Sequence, residues 1–328
     1  MAFDNIVLDI YIYTGLSTGY TSTDKRYTLS KSLITGETKI NFEIAELIRD
    51  YINIEFNNDY SSYCVWVRTD AIIRDENDTE FAYGSPESNT SLAFDGYGYF
   101  EEGINPELDR HALISTSTLY IPEDTAGKLP IFAEGVGKVT IDSSDTQITD
   151  NGNTNQKIQY ITIPANSSSI KVYDTDDTTL LKTIKVNNVC EPKFTPYKVT
   201  FVNKFGAFQD LYFFKKTTES FSVTDETYKR NIFENNNTTY DTYRGQRERY
   251  NTNAKSSITL NTGFVNDDFN SAIEELFLSE KVWIRWNNQT LPIIPKSKDL
   301  ELKSSLNNKL SNYTIDFEFA FNKINNVR

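Results

Sequence analysis

The stretch KVTFVNKFGAFQDLYFF, Lys198–Phe214, holds six aromatic residues in seventeen around one glycine, Gly206. Val199, Phe201 and Asn203 continue one face of a strand, and Gly206 breaks the alternation. A glycine inside a strand pattern marks a bulge, a bend or a turn, because it tolerates positive φ. Phe205 and Phe208 are therefore expected to flank a corner, with Leu211, Tyr212, Phe213 and Phe214 starting the return strand. Most of these rings are expected in a core, with a minority left for contacts between subunits. No catalytic side chain stands out in the stretch.

Working outward, the sequence YTIDFEFAFNK alternates cleanly. Tyr313, Ile315, Phe317, Phe319 and Phe321 share one face, while Thr314, Asp316, Glu318 and Asn322 occupy the other, as in a half-buried strand. VWIRW and LPIIP read as short strands. Between them and the opening stretch, NDDFNSAIEELFLSE places Phe269, Ala272, Ile273, Leu276 and Phe277 at the spacing of one helical face. Asn266 or Asp267 serves as its cap, and Asp268 sits in the first turn, where a carboxylate is favoured. Near the N-terminus, Asn5–Tyr13 and Ser62–Ile73 read as strands, the first followed by a polar loop. A further short strand is expected around Phe81. KINFEIAELIRDYI predicts a helix over residues 39–52 with Ile40, Ile44, Leu47, Ile48 and Tyr51 inward and Asn41 or Thr38 as cap.

From Leu129 to Val189 short strands recur: LPIFAE, KVTIDS, IQYITIPA, SSIKVYD and LLKTIKVNNV. The separators DTQITDNGNTNQ and DTDDTT have turn chemistry. The fold class expected is mainly β, with sandwich or barrel-like domains and two short amphipathic helices packed on the sheets. Boundaries are expected near Ala126–Gly127 and Glu191–Pro192. They give an acidic N-terminal β domain with one helix (1–126), a small sandwich or barrel insert (127–190) and a C-terminal β domain with one helix (191–328).

The net charge of −13 is uneven: residues 1–130 hold 9 Lys and Arg against 22 Asp and Glu, and the remainder holds 24 of each. An acidic face is wrong for phosphate neutralisation, which argues against nucleic acid there. It suits solvent, or a basic partner. Cys64 and Cys190 form no disulfide framework and no zinc spacing, and read as buried thiols. The N-terminus does not read as a signal peptide, and no run reaches the ~20 apolar residues of a spanning helix, so no membrane anchor is expected.

A single histidine, His111, leaves no zinc-hydrolase ligand set and no Ser-His-Asp arrangement. EGVGKVTI fails the phosphate-loop spacing, with Val139 where a hydroxyl is needed. Asp174, Asp176 and Asp177 lack the glycine and closing glutamate of a calcium loop and read as a hairpin turn. No cofactor, metal or catalytic residue is nominated. Two surfaces are. Tyr97, Tyr99 and Phe100, in FDGYGYFEEGINP, form a candidate exposed aromatic loop, set against the alternative that they cover the end of a β layer. Tyr243, Arg244, Arg247, Arg249 and Tyr250 form a candidate subunit rim, and Trp283 and Trp286 are candidate interface anchors, with core packing as the alternative.

The order EPKFTPYKVTFVNKFGAFQDLYFFKK, SITLNTGFVND, FNSAIEELFLSEKVWIRW, LPIIP and YTIDFEFAFN resembles virion tail proteins of tailed bacteriophages that infect Bacteroidetes, including the crAss-like group. The resemblance covers Glu191–Asn322 best, and FDGYGYFEEGINP with GKLPIFAE matches the forward part more loosely. It implies a non-catalytic structural subunit of a tail, collar ring or hub, made in the host cytoplasm and residing in the virion. Its partners would be itself as a cyclic homo-oligomer and neighbouring tail, portal or collar proteins, with nucleic acid passing only through the lumen. A receptor- or glycan-binding module using Tyr97, Tyr99 and Phe100 is the alternative, and a capsule depolymerase with a carboxylate pair a third.

Overall fold

A computed structural model describes residues 3–32, 34, 39–75, 79–80, 87–104, 112–231, 241–297 and 310–324. Among them are eighteen strands and two α-helices, so the chain is mainly β. The strands are β1 (Phe3–Tyr13), β2 (Lys25–Ser32), β3 (Cys64–Asp75), β4 (Glu87–Phe94), β5 (Thr118–Pro122) and β6 (Gly127–Phe132). Then follow β7 (Lys138–Ile141), β8 (Ser144–Gln147), β9 (Ile158–Ile163), β10 (Ser169–Tyr173), β11 (Leu180–Val189) and β12 (Tyr197–Val202). The last six are β13 (Phe208–Phe213), β14 (Thr218–Lys229), β15 (Arg247–Asn266), β16 (Val282–Trp286), β17 (Gln289–Pro295) and β18 (Leu310–Asn322). Helix α1 spans Ala45–Arg49 and α2 spans Phe269–Leu278. No helix among the described residues is long and apolar enough to cross a membrane.

The chain divides into two compact units. The first comprises Met1–Cys190 with Thr200–Asp210 and Ser271–Ser279, and the second comprises Glu191–Val199, Leu211–Asn270 and Glu280–Arg328. Two pieces of the expected C-terminal region thus group with the first unit, and hydrogen bonds account for both. Asn203 donates to the Leu113 carbonyl at 2.6 Å, and Tyr60 donates to Asp210 at 2.5 Å. Ser115 donates to Glu275 on α2. The expected boundary at 126/127 falls between β5 and β6, yet β5 pairs in parallel with β11, so strands from both sides of it share one sheet.

The first unit holds a four-stranded sheet ordered β2-β1-β3-β4, a five-stranded sheet ordered β5-β11-β10-β7-β8, and the ribbon β6-β9. Cys64, Leu113, Phe132, Ile158 and Ala207 form one buried cluster, with Leu92, Phe94, Tyr160 and Phe205 packed on it. The second unit is built on the sheet ordered β13-β12-β16-β17-β18-β15-β14. On β18, Tyr313, Ile315, Phe317 and Phe319 are buried as their alternation predicts, while Phe321 at the strand's end is exposed.

The opening stretch folds as a β12–β13 hairpin. Gly206 sits in its turn at φ +73° and donates to the Asn203 carbonyl at 2.9 Å. Asn203 is fully buried and organises the turn: its Oδ1 accepts from the Phe205 and Ala207 amides at 3.1 and 3.2 Å. Phe201, Phe208, Tyr212, Phe213 and Phe214 are all buried, so the aromatic wealth is core.

The expectation of a long first helix needs correction, since α1 has five residues. Asn41 does not cap it: Ile44 holds the N-cap position without a side-chain hydrogen bond, and Thr38 lies outside the described residues. After Arg49 the burial period changes to two, with Ile52, Ile54 and Phe56 buried and Asn53 and Glu55 exposed, which is the pattern of extended chain. The polar loop expected after β1 contains β2, and DTQ in an expected separator belongs to β8. The strand expected around Phe81, and His111, lie outside the described residues.

Candidate functional site

The aromatic loop follows Gly96, whose missing side chain lets it approach another segment closely. A Cβ on Gly96 would stand 2.6 Å from the Lys204 carbonyl oxygen, the same oxygen that accepts from the Tyr97 amide at 2.9 Å. This anchors the loop on the hairpin turn. Tyr97 and Tyr99 are half-buried and meet edge to face, with centroids 6.0 Å apart. The Lys204 ammonium lies 5.1 Å from the centre of the Tyr99 ring and 3.7 Å from Glu102. Burial, with Glu274 and Glu275 nearby, pushes both phenols up from their ordinary range. Phe100 differs, being fully exposed at the start of a single 3-10 turn, Phe100–Glu102. The three rings therefore form no common platform: two are half-buried beside the hairpin turn and one projects into solvent.

Beneath them Glu275 is 1% exposed. Desolvation raises its pKa, against the lowering effect of hydrogen bonds from the Ser115 hydroxyl and the Lys204 amide. It is a buried strut between α2, the 112–117 loop and the hairpin turn. A cleft of about 430 Å³ in the first unit is lined in part by Tyr13, Asp24, Arg26 and Tyr51. Among the described residues of that lining Asp24 is the one carboxylate, so they offer no acid pair of the kind glycoside hydrolysis uses. Its carboxylate already accepts from the Thr21 amide and hydroxyl at 2.7 and 2.8 Å.

The rim residues fall on the β14–β15 hairpin and its connection. Arg247, Arg249 and Tyr250 are on β15, while Tyr243 and Arg244 precede it. The arginines are not a free basic patch. Arg249 pairs with Asp225 at 2.8 Å, and Arg244 approaches Asp241 at 3.9 Å. Arg230 meets Glu248 at 3.4 Å. Among the described residues Arg247 forms no ion pair. Tyr250 packs edge-on against Tyr228, whose hydroxyl donates to Glu248 at 2.7 Å. Tyr243 is 80% exposed. Trp283 and Trp286 are half-buried on β16; Trp286 stacks on Tyr197 at 4.8 Å and meets Phe319 edge-on, so its ring is engaged by its own unit.

Residue-type reasoning missed the neighbour of this rim. All twelve residues of β14 are exposed, at one end of a seven-stranded sheet. TESFSVTDETYK has no apolar periodicity to announce it; its only signal is a density of Thr, Val, Phe and Tyr with no proline or glycine. The Asp174–Thr179 turn joins β10 to antiparallel β11, and Asp176 accepts from the Thr178 and Thr179 amides at 2.8 and 2.7 Å. Among the described residues no group of three or more His, Cys, Asp or Glu is arranged to hold a metal ion. Comparison of the chain with models of protein families, with curated proteins and with solved structures returned no match.

Proposed function

We propose that the chain is a non-enzymatic structural subunit of a tailed-phage virion that forms a multi-copy ring in the tail, as a collar, tail ring or hub. The observation that carries this reading is β14: a twelve-residue strand with every residue exposed, ending a sheet whose other described strands bury a core. An unpaired edge of that length is a liability for a monomer and an asset for an assembly, because a neighbouring strand completes its hydrogen bonds. The rim beside it carries Tyr243, Tyr250, Arg247 and Arg249, residue types enriched at protein interfaces. The resemblance of Glu191–Asn322 to phage tail proteins supports the same reading, and neighbouring tail, portal or collar proteins would be the other partners. Native mass measurement and negative-stain imaging of the purified chain test it. The expected result is a closed ring of one copy number; a monomer at every accessible concentration overturns it.

A further inference from the structure

We propose that β14 of one copy adds antiparallel to β2 of the next copy, joining the seven-stranded sheet of one subunit to the four-stranded sheet of its neighbour. The inference rests on the ring reading and names the two surfaces that would meet. β2 is the second exposed sheet edge with a distinctive charge: KRYTLSKS carries Lys25, Arg26 and Lys31 and no acid. β14 carries Glu219, Asp225 and Glu226 against one lysine, Lys229. The edges are therefore of opposite sign, and two different surfaces meeting head to tail are what a closed ring requires.

One antiparallel register sorts their side chains. With Lys31 opposite Glu219, Leu29 falls opposite Phe221 and Tyr27 opposite Val223. Beyond Tyr27 the extra residue Arg26 shifts the register of β2, and Lys25 turns to the other face, where it pairs with Asp9 at 2.6 Å. Two apolar pairs thus adjoin one ion pair, Lys31 with Glu219, on one face. The other face brings Ser32, Ser30 and Thr28 opposite Thr218, Ser220 and Ser222. No like charges meet, and cross-strand pairs of this kind are the unit of sheet stabilisation.

The two sheets also agree in which face is buried. Tyr27 and Leu29 lie opposite Ile10 and Leu8 of β1, both core residues. Phe221 and Val223 lie opposite Ser256 and Ala254 of β15, on the face that continues through buried Ile258 to Phe317. Joining the edges in this register makes the core-facing sides continuous, and covers Phe221, which stands 71% exposed.

The outer edge of β14 is suited to pairing. Its register shift against β15 between Thr224 and Glu226 is absorbed by an extra residue on β15, where Asn251 takes φ +49°. Bulges usually blunt edge strands; beside β14 the bulge lies on the inner neighbour, and on β2 it falls at Arg26, outside the Tyr27–Ser32 span that pairs. Among the described residues neither Lys31 nor Glu219 forms an ion pair; Lys31 donates to the Asn41 carbonyl at 2.5 Å.

Sedimentation velocity on the full chain tests the pairing by charge reversal. Lys31→Glu alone, or Glu219→Lys alone, is expected to raise the concentration needed for assembly about tenfold. The chain carrying both changes is expected to recover assembly because every contact again unites opposite signs, and a mixture of the two single variants is expected to recover it wherever the two alternate. Phe221→Asp, at an exposed position, is expected to weaken assembly while leaving thermal unfolding unchanged. Assembly indifferent to all three substitutions overturns the β14–β2 pairing and leaves the ring. Loss with Glu219→Lys that Lys31→Glu does not rescue also overturns it, by assigning β14 another partner such as a second β14. A wild-type chain that never assembles overturns both readings together.

Discussion

Glu275 accepts a hydrogen bond from the Ser115 hydroxyl across 160 positions of sequence, and its other oxygen faces the Lys204 amide at 3.4 Å. A carboxylate 1% exposed must have a reason to be charged, and here it has two donors and no ion pair among the described residues. Desolvation wins over those donors, so the folded-state pKa lies above the ordinary glutamate value. The native state then holds its proton more tightly than the unfolded chain. Between the ordinary and the raised value stability falls as pH rises, and it recovers as pH drops through the folded pKa. Glu275→Gln keeps a carbonyl oxygen for Ser115 and removes the charge. Urea denaturation from mildly acid to neutral pH should find this variant at least as stable as wild type at neutral pH, with a flatter pH profile. Glu275→Ala strands the Ser115 hydroxyl and the Lys204 amide, and should cost about 1–3 kcal/mol.

The same corner makes Gly96 and Gly206 irreplaceable for different reasons. At Gly96 an added Cβ meets the Lys204 carbonyl oxygen at 2.6 Å, which is a backbone atom and cannot swing away. At Gly206 the cost is both conformational, at φ +73°, and steric, with Asp95 backbone at 3.1 Å. Each alanine substitution should cost about 1–3 kcal/mol, and the pair should be non-additive because both distort one contact. Gly103 is the control. It shares a positive φ of +69° but an added Cβ would meet no atom of the described residues within 4 Å, so Gly103→Ala should cost only the left-handed strain of about 1–2 kcal/mol. Thermal unfolding of the four variants separates the terms.

How far the sequence could be read depends on which faces are buried. β18 was legible because water covers one side and core the other, so apolarity follows the pleat from Tyr313 to Phe319. α2 was legible for the same reason at the helical period, with Phe269, Ala272, Ile273 and Leu276 all buried. α1 misled because Ile44, Leu47, Ile48 and Tyr51 satisfy the helical spacing while Ile52, Ile54 and Phe56 satisfy period two in the same run. β14 was illegible because both of its faces are wet, and only pairing with β15 makes it a strand. Arg249, read as part of a basic rim, sits on the β14–β15 hairpin beside its counter-ion Asp225, a pairing that only the strand register brings about. Asn203, read as one more position on a strand face, is the fully buried organiser of the turn, a role that depends on Leu113 and Gln209, which no local pattern connects to it.

The two cysteines should differ sharply in reactivity. Cys64 is 2% exposed, and burial pushes its thiol up to about 12, leaving almost no thiolate at neutral pH. Cys190 is exposed, contrary to the expectation that both thiols are buried. Maleimide labelling of the native protein, read by intact mass, should add one label rapidly and the second only with denaturant. Rapid double labelling would show that the cluster around Cys64, Leu113 and Phe132 opens readily in the native state.

Lys157 gives the sharpest energetic test, because its surroundings are asymmetric. The lysine side chain is 1% exposed, whereas its partners Glu134 and Asp150, both at 2.6 Å, are 47% and 39% exposed. Burial alone would lower the lysine pKa; hydrogen bonds from its ammonium to Asp150 and Glu134 outweigh that and leave it raised. The penalty for breaking the triad then depends on which side is removed. Lys157→Met leaves two carboxylates that water can reach and fills the space with an apolar chain, so it should cost only about 1–2 kcal/mol. Replacing both acids, Glu134→Gln with Asp150→Asn, leaves a buried ammonium with the Gly152 carbonyl as its remaining partner, and should cost about 3–5 kcal/mol. Adding Lys157→Met to that double variant should restore most of the loss, since it removes the uncompensated charge. Chemical denaturation of the three variants reads the order directly. An equal loss from either side would mean that the ammonium reaches water when its partners go, and that its burial does not set the energetics of this corner.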